Sequence, residues 1–546
     1  MNGSKLARPS PAQLVWQDME TTMFLHFVAE VYKQPEEPNR TFIPLDRIRP
    51  DKLDVEQWVE AAVSFDAKMI VIVARHAEGF CWWQTETSSY GVKELSWRNG
   101  KGDMIADLSA ACRRRGVRLG IYMCADNVLH KAGLSGRCAN PKDQRKYDAI
   151  YRQQLTELLS RYGDIAEVWF DGSVTIEVGD ILKRYAPDAM VLNSHHPTIR
   201  WGGNEEGLAP YPCWNSVKAE TLRAGTLGAG ILTPANGSPD GEIWLPVESD
   251  TTLHKFGWCW RTGERHMKNL EQLMEAHYRT VGHGTVFLLN NAPDPSGLIP
   301  EEDMKRCAEF GAEVRRRFGR SLAECAGQGS TLELPVPDKA PIDHVILMED
   351  IAFGERVRQY VIEGLTDGQW RELASGTAIG HKKIDFFKPA AVSRLRWRAI
   401  KSEGTPLIRK MAAYHVGLVP VFEVEKTVVY DELRMVAGEL EAKKLSAKWT
   451  TFEFDIAAHV AEARKYEVEI IPVPSEGIIE VKKIELVLND VAFPDLVAPG
   501  KQPQSYQLTI TACTSPYRLR LTVRRRGKGP VGGEVVLKPL RRFLYV

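Results

Sequence analysis

The sequence predicts a multidomain chain: a (β/α)8-barrel-like N-terminal domain followed by C-terminal β-sandwich domains. Three observations carry this reading. From about residue 10 to 325, short apolar runs alternate with longer helical patterns, the rhythm of parallel strands joined by helical crossovers. The alternation lasts about 300 residues, a length that suits a closed barrel better than an open sheet. After about residue 330, strand-like runs follow one another with few helices between them, as in all-β sandwiches.

In the first part, residues 23–28 (Met-Phe-Leu-His-Phe-Val) are apolar and strand-like, and 56–65 has helical spacing. Residues 68–73 (Lys-Met-Ile-Val-Ile-Val) read as a fully buried strand. Residues 103–115 are amphipathic at helical period, 117–123 form a strand, and 147–162 form a strong helix with Ile150, Leu155, Leu158 and Leu159 among its apolar positions. Strands at 166–170 and 189–192 flank a short helix at 180–185. A helix at 270–281, a strand at 285–289 and an amphipathic helix at 301–317 complete the series. The stretch 200–260 breaks the rhythm. It is rich in Gly, Pro and Trp and reads as long loops, which in a barrel build the rim of the site.

Beyond residue 330 the strand-like runs are 344–348, 359–362, 393–397, 466–471, 484–488, 507–511 and 518–523. Two sandwiches of ordinary size fit, with a boundary near 418–430. The expected domains are 1–330, 331–420 and 421–546.

Composition excludes several classes. Lys+Arg and Asp+Glu are 71 each, so the net charge is zero, and a nucleic-acid partner is not expected. The run Arg524-Arg525-Arg526-Gly527-Lys528 reads as a solvated strand edge or turn. No run of 18 apolar residues exists, so no membrane span is expected. Nine cysteines occur without a CxxC pair or a His/Cys cluster of zinc spacing, which argues for buried free thiols and against a metal site. No Gly-rich phosphate loop follows a strand; Asn99-Gly100-Lys101-Gly102 matches no nucleotide fingerprint. No cofactor is expected. The N-terminus lacks an apolar leader core, so the sequence as it stands predicts a cytoplasmic protein, and a periplasmic or secreted one if a leader has been removed.

Four expected barrel strands end in polar residues that packing does not require: His26, His76, Tyr122 and Asp171. Side chains at the C-terminal ends of barrel strands converge on one pocket. Trp82, Trp83, Trp97, Trp169, Trp201 and Trp214 are available to the same mouth. Carboxylates among aromatic rings suit a sugar: rings cover its apolar face, and imidazole or indole N–H groups bond its hydroxyls. Taken singly, each of these residues also fits a core or capping position; their coincidence at four strand ends is what points to a site.

At this point the sequence resembles the α-L-fucosidases of glycoside hydrolase family 29, in the branch acting on α-1,3/1,4-linked fucose. The matching stretches are residues 16–27, 75–83 (Arg-His-Ala-Glu-Gly-Phe-Cys-Trp-Trp), 96–103, 167–172, 199–207 (Ile-Arg-Trp-Gly-Gly-Asn-Glu-Glu-Gly), 244–250 and 288–300, in family order. Residues 345–354 and 376–384 resemble that branch's galactose-binding-like module.

The resemblance implies a retaining exo-glycosidase acting on a fucosylated oligosaccharide or glycoconjugate. It implies Asp171 as nucleophile and Glu205 as acid/base. His26, His76 and Trp83 match residues that hold the fucose hydroxyls and ring, and Tyr122 lies near the family's third-strand tyrosine. Trp169 and Trp201 are expected at the rim, and so is Glu248, the reserve candidate for the acid. Glu206 is expected to face away from Glu205. A retaining enzyme needs two carboxyls about 5–5.5 Å apart, one to attack and one to donate and then withdraw a proton. A strand-end Asp with a loop-borne Glu suits that division. One departure stands out: the family's His-His-Asp at the second strand is here His76-Ala77-Glu78. That alters the glycone pocket. It leaves an α-L-galactosidase or an inactive carbohydrate-binding relative open beside the fucosidase.

Overall fold

The computed structural model describes residues 6–34, 37, 42–219, 236–255, 257–261, 266–337, 340–422, 435–456, 465–474, 477–488, 491–492, 505–509, 517–527 and 529–539. Eight parallel strands build the N-terminal sheet: β1 (Thr21–Leu25), β2 (Met69–Arg75), β3 (Arg118–Met123), β4 (Ile165–Trp169), β5 (Met190–Leu192), β6 (Arg200–Trp201), β7 (Val247–Thr252) and β8 (Val286–Asn291). Their order is β5-β4-β3-β2-β1-β8-β7-β6. This is a barrel in chain order with one seam, between β5 and β6. Thr198 bridges the seam: its N–H donates to the Val191 carbonyl at 2.9 Å, and its hydroxyl accepts from the Val191 N–H at 2.7 Å.

The helices are α1 (Pro11–Gln17), α2 (Val55–Ser64), α3 (Met104–Arg115), α4 (Pro141–Arg161), α5 (Gly179–Tyr185), α6 (Leu270–Arg279) and α7 (Glu301–Phe318). Local sequence sets their ends. Ser10 and Gln13 form a capping box on α1, and Asn269 and Gln272 form another on α6. Asp54 and Asp103 cap α2 and α3. Helix α3 stops at Gly116, whose φ of 66° suits the left-handed C-terminal position. Helix α7 carries three acidic residues in its first turn and Arg315, Arg316 and Arg317 in its last, which complements the helix dipole.

The elements expected within 23–192 and 270–317 are present, with ends shifted by a few residues; α4 begins six residues early, at Pro141. The expectation of loops throughout 200–260 needs correction, because β6 and β7 lie there. Strand β7 reads Val-Glu-Ser-Asp-Thr-Thr, and all six residues are buried. Its side chains from Glu248 to Thr252 are polar although buried, so hydrophobic patterning does not reveal it.

Strands β9 (Ala323–Gln328), β10 (Thr331–Pro335), β11 (Pro341–Glu349), β12 (Val357–Thr366), β13 (Gln369–Gly376), β14 (Lys383–Ala391), β15 (Arg394–Ser402) and β16 (Leu407–Tyr414) form the first sandwich. Its sheets are ordered β9-β16-β11-β14 and β10-β15-β12-β13, over a core that includes Leu347, Tyr360, Ile362 and Trp397. This sandwich and the barrel belong to one compact unit. Buried polar contacts join them. Glu355 accepts from the backbone and side-chain N–H groups of Asn215 at 3.0 and 2.8 Å. The Tyr211 hydroxyl donates to the Ala378 carbonyl at 2.9 Å, and the Tyr278 hydroxyl meets His344 Nε2 at 2.8 Å.

A second unit comprises Glu36–Phe42, Asp126–Tyr147 and Glu423–Val546. It contains β17 (Met435–Leu440), β18 (Thr450–Asp455), β19 (Lys465–Val473), β20 (Ile478–Leu488), β21 (Val491–Ala492), β22 (Ser505–Thr509), β23 (Tyr517–Arg526) and β24 (Gly532–Pro539). They form sheets β17-β24-β19-β22 and β18-β23-β20-β21. The basic run lies on β23 up to Arg526, where Arg524 and Arg526 pair with Glu480 on β20 at 2.6 and 2.5 Å; Lys528 lies outside the described residues. Among the described residues no helix is long and apolar enough to cross a membrane. Eight cysteines are free, and Cys513 lies outside the described residues.

Candidate active site

The site grows from the alternation of the barrel strands, in which every second side chain faces the same way. On β4 and the residues after it, Glu167, Trp169 and Asp171 follow at intervals of two. On β1, Phe24 and His26 do the same. The rings converge at the carboxyl ends. His26 lies 5.9 Å from Tyr122, His76 stacks on Tyr122 at 6.0 Å, and Tyr122 stacks on Trp169 at 5.5 Å between ring centres. Phe24 packs beneath, 4.4 Å from His26 and 5.3 Å from Trp169.

Hydrogen bonds fix the polar atoms. The Tyr122 hydroxyl donates to Asp171 Oδ2 at 3.0 Å. His26 Nδ1 lies 2.7 Å from Asn290 Oδ1, and the Asn290 amide donates to the Trp258 carbonyl at 2.8 Å. That second bond assigns the oxygen of Asn290 to His26, so Nδ1 carries the hydrogen. Burial, helped by the neighbouring His76, pushes His26 down to about 3. The imidazole is therefore neutral at working pH, and Nε2 is an acceptor for a hydroxyl. His76 Nδ1 meets Glu78 Oε2 at 3.0 Å, and Glu78 Oε1 accepts from the Ala29 N–H at 3.1 Å. The longer acid in His76-Ala77-Glu78 thus ties the second strand end to the turn after β1.

Glu205 lies half-buried on the loop after β6. The Asn204 side chain braces this loop: its oxygen accepts from the N–H groups of Glu206 and Leu208, and its amide donates to the Leu208 carbonyl. Gly202 donates to the Glu248 carbonyl and Gly207 to the Asp250 carbonyl, at 2.8 and 3.0 Å, pinning the loop along β7. A Cβ on Gly202 would lie 2.9 Å from Ser249 Oγ, so only glycine permits that approach. Glu206 pairs in an isolated bridge with Thr251. Lys268, buried against the Thr252 carbonyl, is drawn down to about 8 by burial, partly offset by Glu206 and Glu205.

The structure gathers His26, His76, Tyr122, Trp169 and Asp171. Two expected positions fall elsewhere. Trp83 is fully buried, and its indole donates to Glu157 on α4 at 2.9 Å. The chain doubles back after β2, where Trp82 N–H bonds the Ala74 carbonyl, and this turns the Trp83 nitrogen to the helix layer. Glu248 is not on the rim. It is the second residue of β7, level with Val286 at the start of β8, so it lies toward the barrel floor and accepts from the Trp169 indole at 2.8 Å. Trp201, by contrast, stands at the carboxyl end of β6, half-buried, and donates to Asp250 Oδ1 at 2.7 Å.

Two residues of the cluster escaped sequence reasoning. Trp258 places its ring 5.1 Å from His26, and Asn290 orients that imidazole. Asn290 carried the same signal as the other strand ends, a polar residue closing an apolar run. Trp258 gave none beyond the tryptophan richness of its stretch. Among the described residues no three His, Cys, Asp or Glu side chains gather as a metal site requires.

A sequence model of the family described as Alpha-L-fucosidase matches residues 9–316. The chain belongs to the alpha-L-fucosidase family. Alpha-L-fucosidase 1 of Arabidopsis thaliana is 29% identical over 456 residues, covering 75% of this chain and 88% of the plant protein. A solved structure from Bacteroides thetaiotaomicron is 31% identical with a TM-score of 0.68, over 75% of this chain and 99% of that one. A glycoside hydrolase 29 family member from an unknown rumen bacterium is 24% identical with a TM-score of 0.66, over 99% and 97% of the two chains. That likeness extends the shared fold through both sandwiches. The fucosidase-family match covers all five residues gathered at the mouth, as well as Glu205.

Proposed function

We propose that the protein is a retaining exo-α-L-fucosidase of the branch acting on α-1,3/1,4-linked fucose. The observation that carries this reading is the Tyr122–Asp171 hydrogen bond, at the convergence of two strand-end histidines in a chain of this family. Tyr122 occupies Oδ2 and leaves Oδ1 of Asp171 to attack the anomeric carbon. As the glycosidic bond breaks, Glu205 gives its proton to the leaving oxygen. The fucosyl group is then an ester of Asp171. Glu205, now a carboxylate, takes a proton from water; the water oxygen displaces Asp171, and fucose leaves with its configuration retained. His26 Nε2 accepts a sugar hydroxyl, His76 borders the same face, and Trp258 and Trp169 supply apolar surface.

The test is hydrolysis of 4-nitrophenyl α-L-fucoside, 4-nitrophenyl α-L-galactoside and a fucosylated Lewis-type trisaccharide by wild type and Asp171→Ala. Fucose release from the trisaccharide that vanishes in the variant supports the reading. Galactose release alone transfers the mechanism to an α-L-galactoside. Silence on all three removes the hydrolase reading. Glu205→Ala should lose most activity on the trisaccharide and least on aryl fucosides with good leaving groups.

A further inference from the structure

Below the mouth the barrel holds two carboxyl groups that the reaction above does not use. Glu167 on β4 is 0% exposed and Glu248 on β7 is 1% exposed. Each accepts one indole hydrogen: Glu167 Oε2 from Trp16 at 2.7 Å, and Glu248 Oε2 from Trp169 at 2.8 Å. The other oxygen of each, Oε1, is buried and has no donor among the described groups. Glu167 stands two residues before Trp169 on the same face of β4, so the bond from Trp169 to Glu248 brings the two carboxyls together. Gly120 makes the room, since a Cβ there would lie 3.3 Å from that of Glu167.

Two ionised carboxylates cannot share such a site. One proton between them resolves every oxygen: two accept from indoles and two meet over the proton, leaving a single negative charge. Burial raises Glu167 to about 7, and burial together with the Glu167 charge raises Glu248 well above the ordinary carboxyl value, so the pair keeps a proton between them near neutral pH.

We propose that Glu167 and Glu248 share one proton and form the positioning element that holds Trp169 behind the reacting carboxylate. The chain of contact is short. Glu248 fixes the Trp169 indole; that ring stacks on Tyr122 at 5.5 Å and 20°; and the Tyr122 hydroxyl holds Asp171. The catalytic part of this inference rests on the reading of Asp171 as nucleophile. The proton itself does not.

Two measurements test it. The first is the infrared spectrum of wild type at neutral pH, in H2O and D2O, with and without Glu248→Gln. A protonated-carboxyl stretch that shifts in D2O and is missing from the variant is expected; its absence in wild type overturns the shared proton. The second is kinetics on substrates with good and poor leaving groups. Glu248→Gln keeps the shape and both hydrogen bonds, so kcat should stay within about threefold on both substrates, whereas Glu248→Leu should lose roughly ten- to a hundredfold in kcat with KM little changed. A Glu248→Gln loss confined to poor leaving groups would make Glu248 the proton donor and overturn the positioning role. So would a Glu248→Leu protein with full kcat. If Glu248→Leu does not fold, the Gln variant and the spectrum still decide. If wild type hydrolyses none of the glycosides, the reading of Asp171 falls and the spectrum alone judges the pair.

Discussion

Tyr122 on β3 donates its phenolic hydrogen to Asp171 Oδ2, just past the end of β4, at 3.0 Å. The register pairs Tyr122 with Trp169 on β4, and Asp171 stands two residues further along on the same face, within reach of the long phenol side chain. Tyr122→Phe keeps the ring stack and removes only the donor. A hydrogen bond to a charged group is worth about 1.5–3 kcal/mol. Steady-state kinetics on the substrate that wild type accepts should show kcat down by roughly ten- to a hundredfold, with KM within a few-fold. An unchanged kcat would mean that Asp171 needs no second holder.

Asn290 sets the tautomer of His26, so Asn290→Leu should act on sugar binding. It frees Nδ1 from its acceptor and lets the imidazole present the wrong nitrogen. KM for the glycoside, or Kd for free fucose by calorimetry, should rise by about tenfold, and thermal stability should fall as well. A variant that loses stability but keeps KM would leave His26 without a role in holding the sugar.

Glu355 of the first sandwich is buried and takes both N–H groups of Asn215. Glu355→Ala leaves those donors unpaired, at a cost of about 2–3 kcal/mol. Chemical denaturation should show that loss. Activity should fall too, because Asn215 lies in the excursion between β6 and β7. By the same logic a chain ending at residue 330 should be inactive even where it is soluble, which activity of the truncated protein would refute.

Acid should unfold this protein steeply. Burial holds His26, His277 and His283 each at about 3 in the folded state, against an ordinary 6.5. Between those values the unfolded chain binds more protons, so stability falls as pH falls. Glu167 and Glu349, raised by burial to about 7, act oppositely between their ordinary 4.5 and 7, where the folded chain holds more protons. The two sets offset each other from about 4.5 to 6.5. Below about 4.5 the carboxyls drop out, and Glu313 and Glu363, drawn down to about 2 by arginine partners, add to the histidine slope. The melting temperature should be nearly flat across the upper range and drop sharply below about 4.5. A melting temperature that rises on acidification below 4.5 would contradict these assignments.

Much of the barrel was legible because its strands are continuous apolar runs between amphipathic helices. Strand β2, Met-Ile-Val-Ile-Val-Ala-Arg, announces itself. Four site residues were visible as polar ends of such runs. Strand β7 was not, because its buried side chains from Glu248 to Thr252 are polar, and the partner that receives Glu248 lies far away in sequence; Glu248 and Trp169 are 79 positions apart. For the same reason Glu248 was placed on a rim that it does not reach. Trp83 was misleading in a different way. A motif fixes neighbours in sequence, but the direction of an indole nitrogen depends on how the chain turns after the strand.

Four tryptophans of the barrel domain each give their N–H to a carboxylate: Trp16 to Glu167, Trp83 to Glu157, Trp169 to Glu248 and Trp201 to Asp250. Losing one member strands a polar group in a place water does not readily reach. Inheritance at these eight positions is therefore coupled. A descendant that gives up an indole is expected to give up its acid as well, so that change here comes in couples.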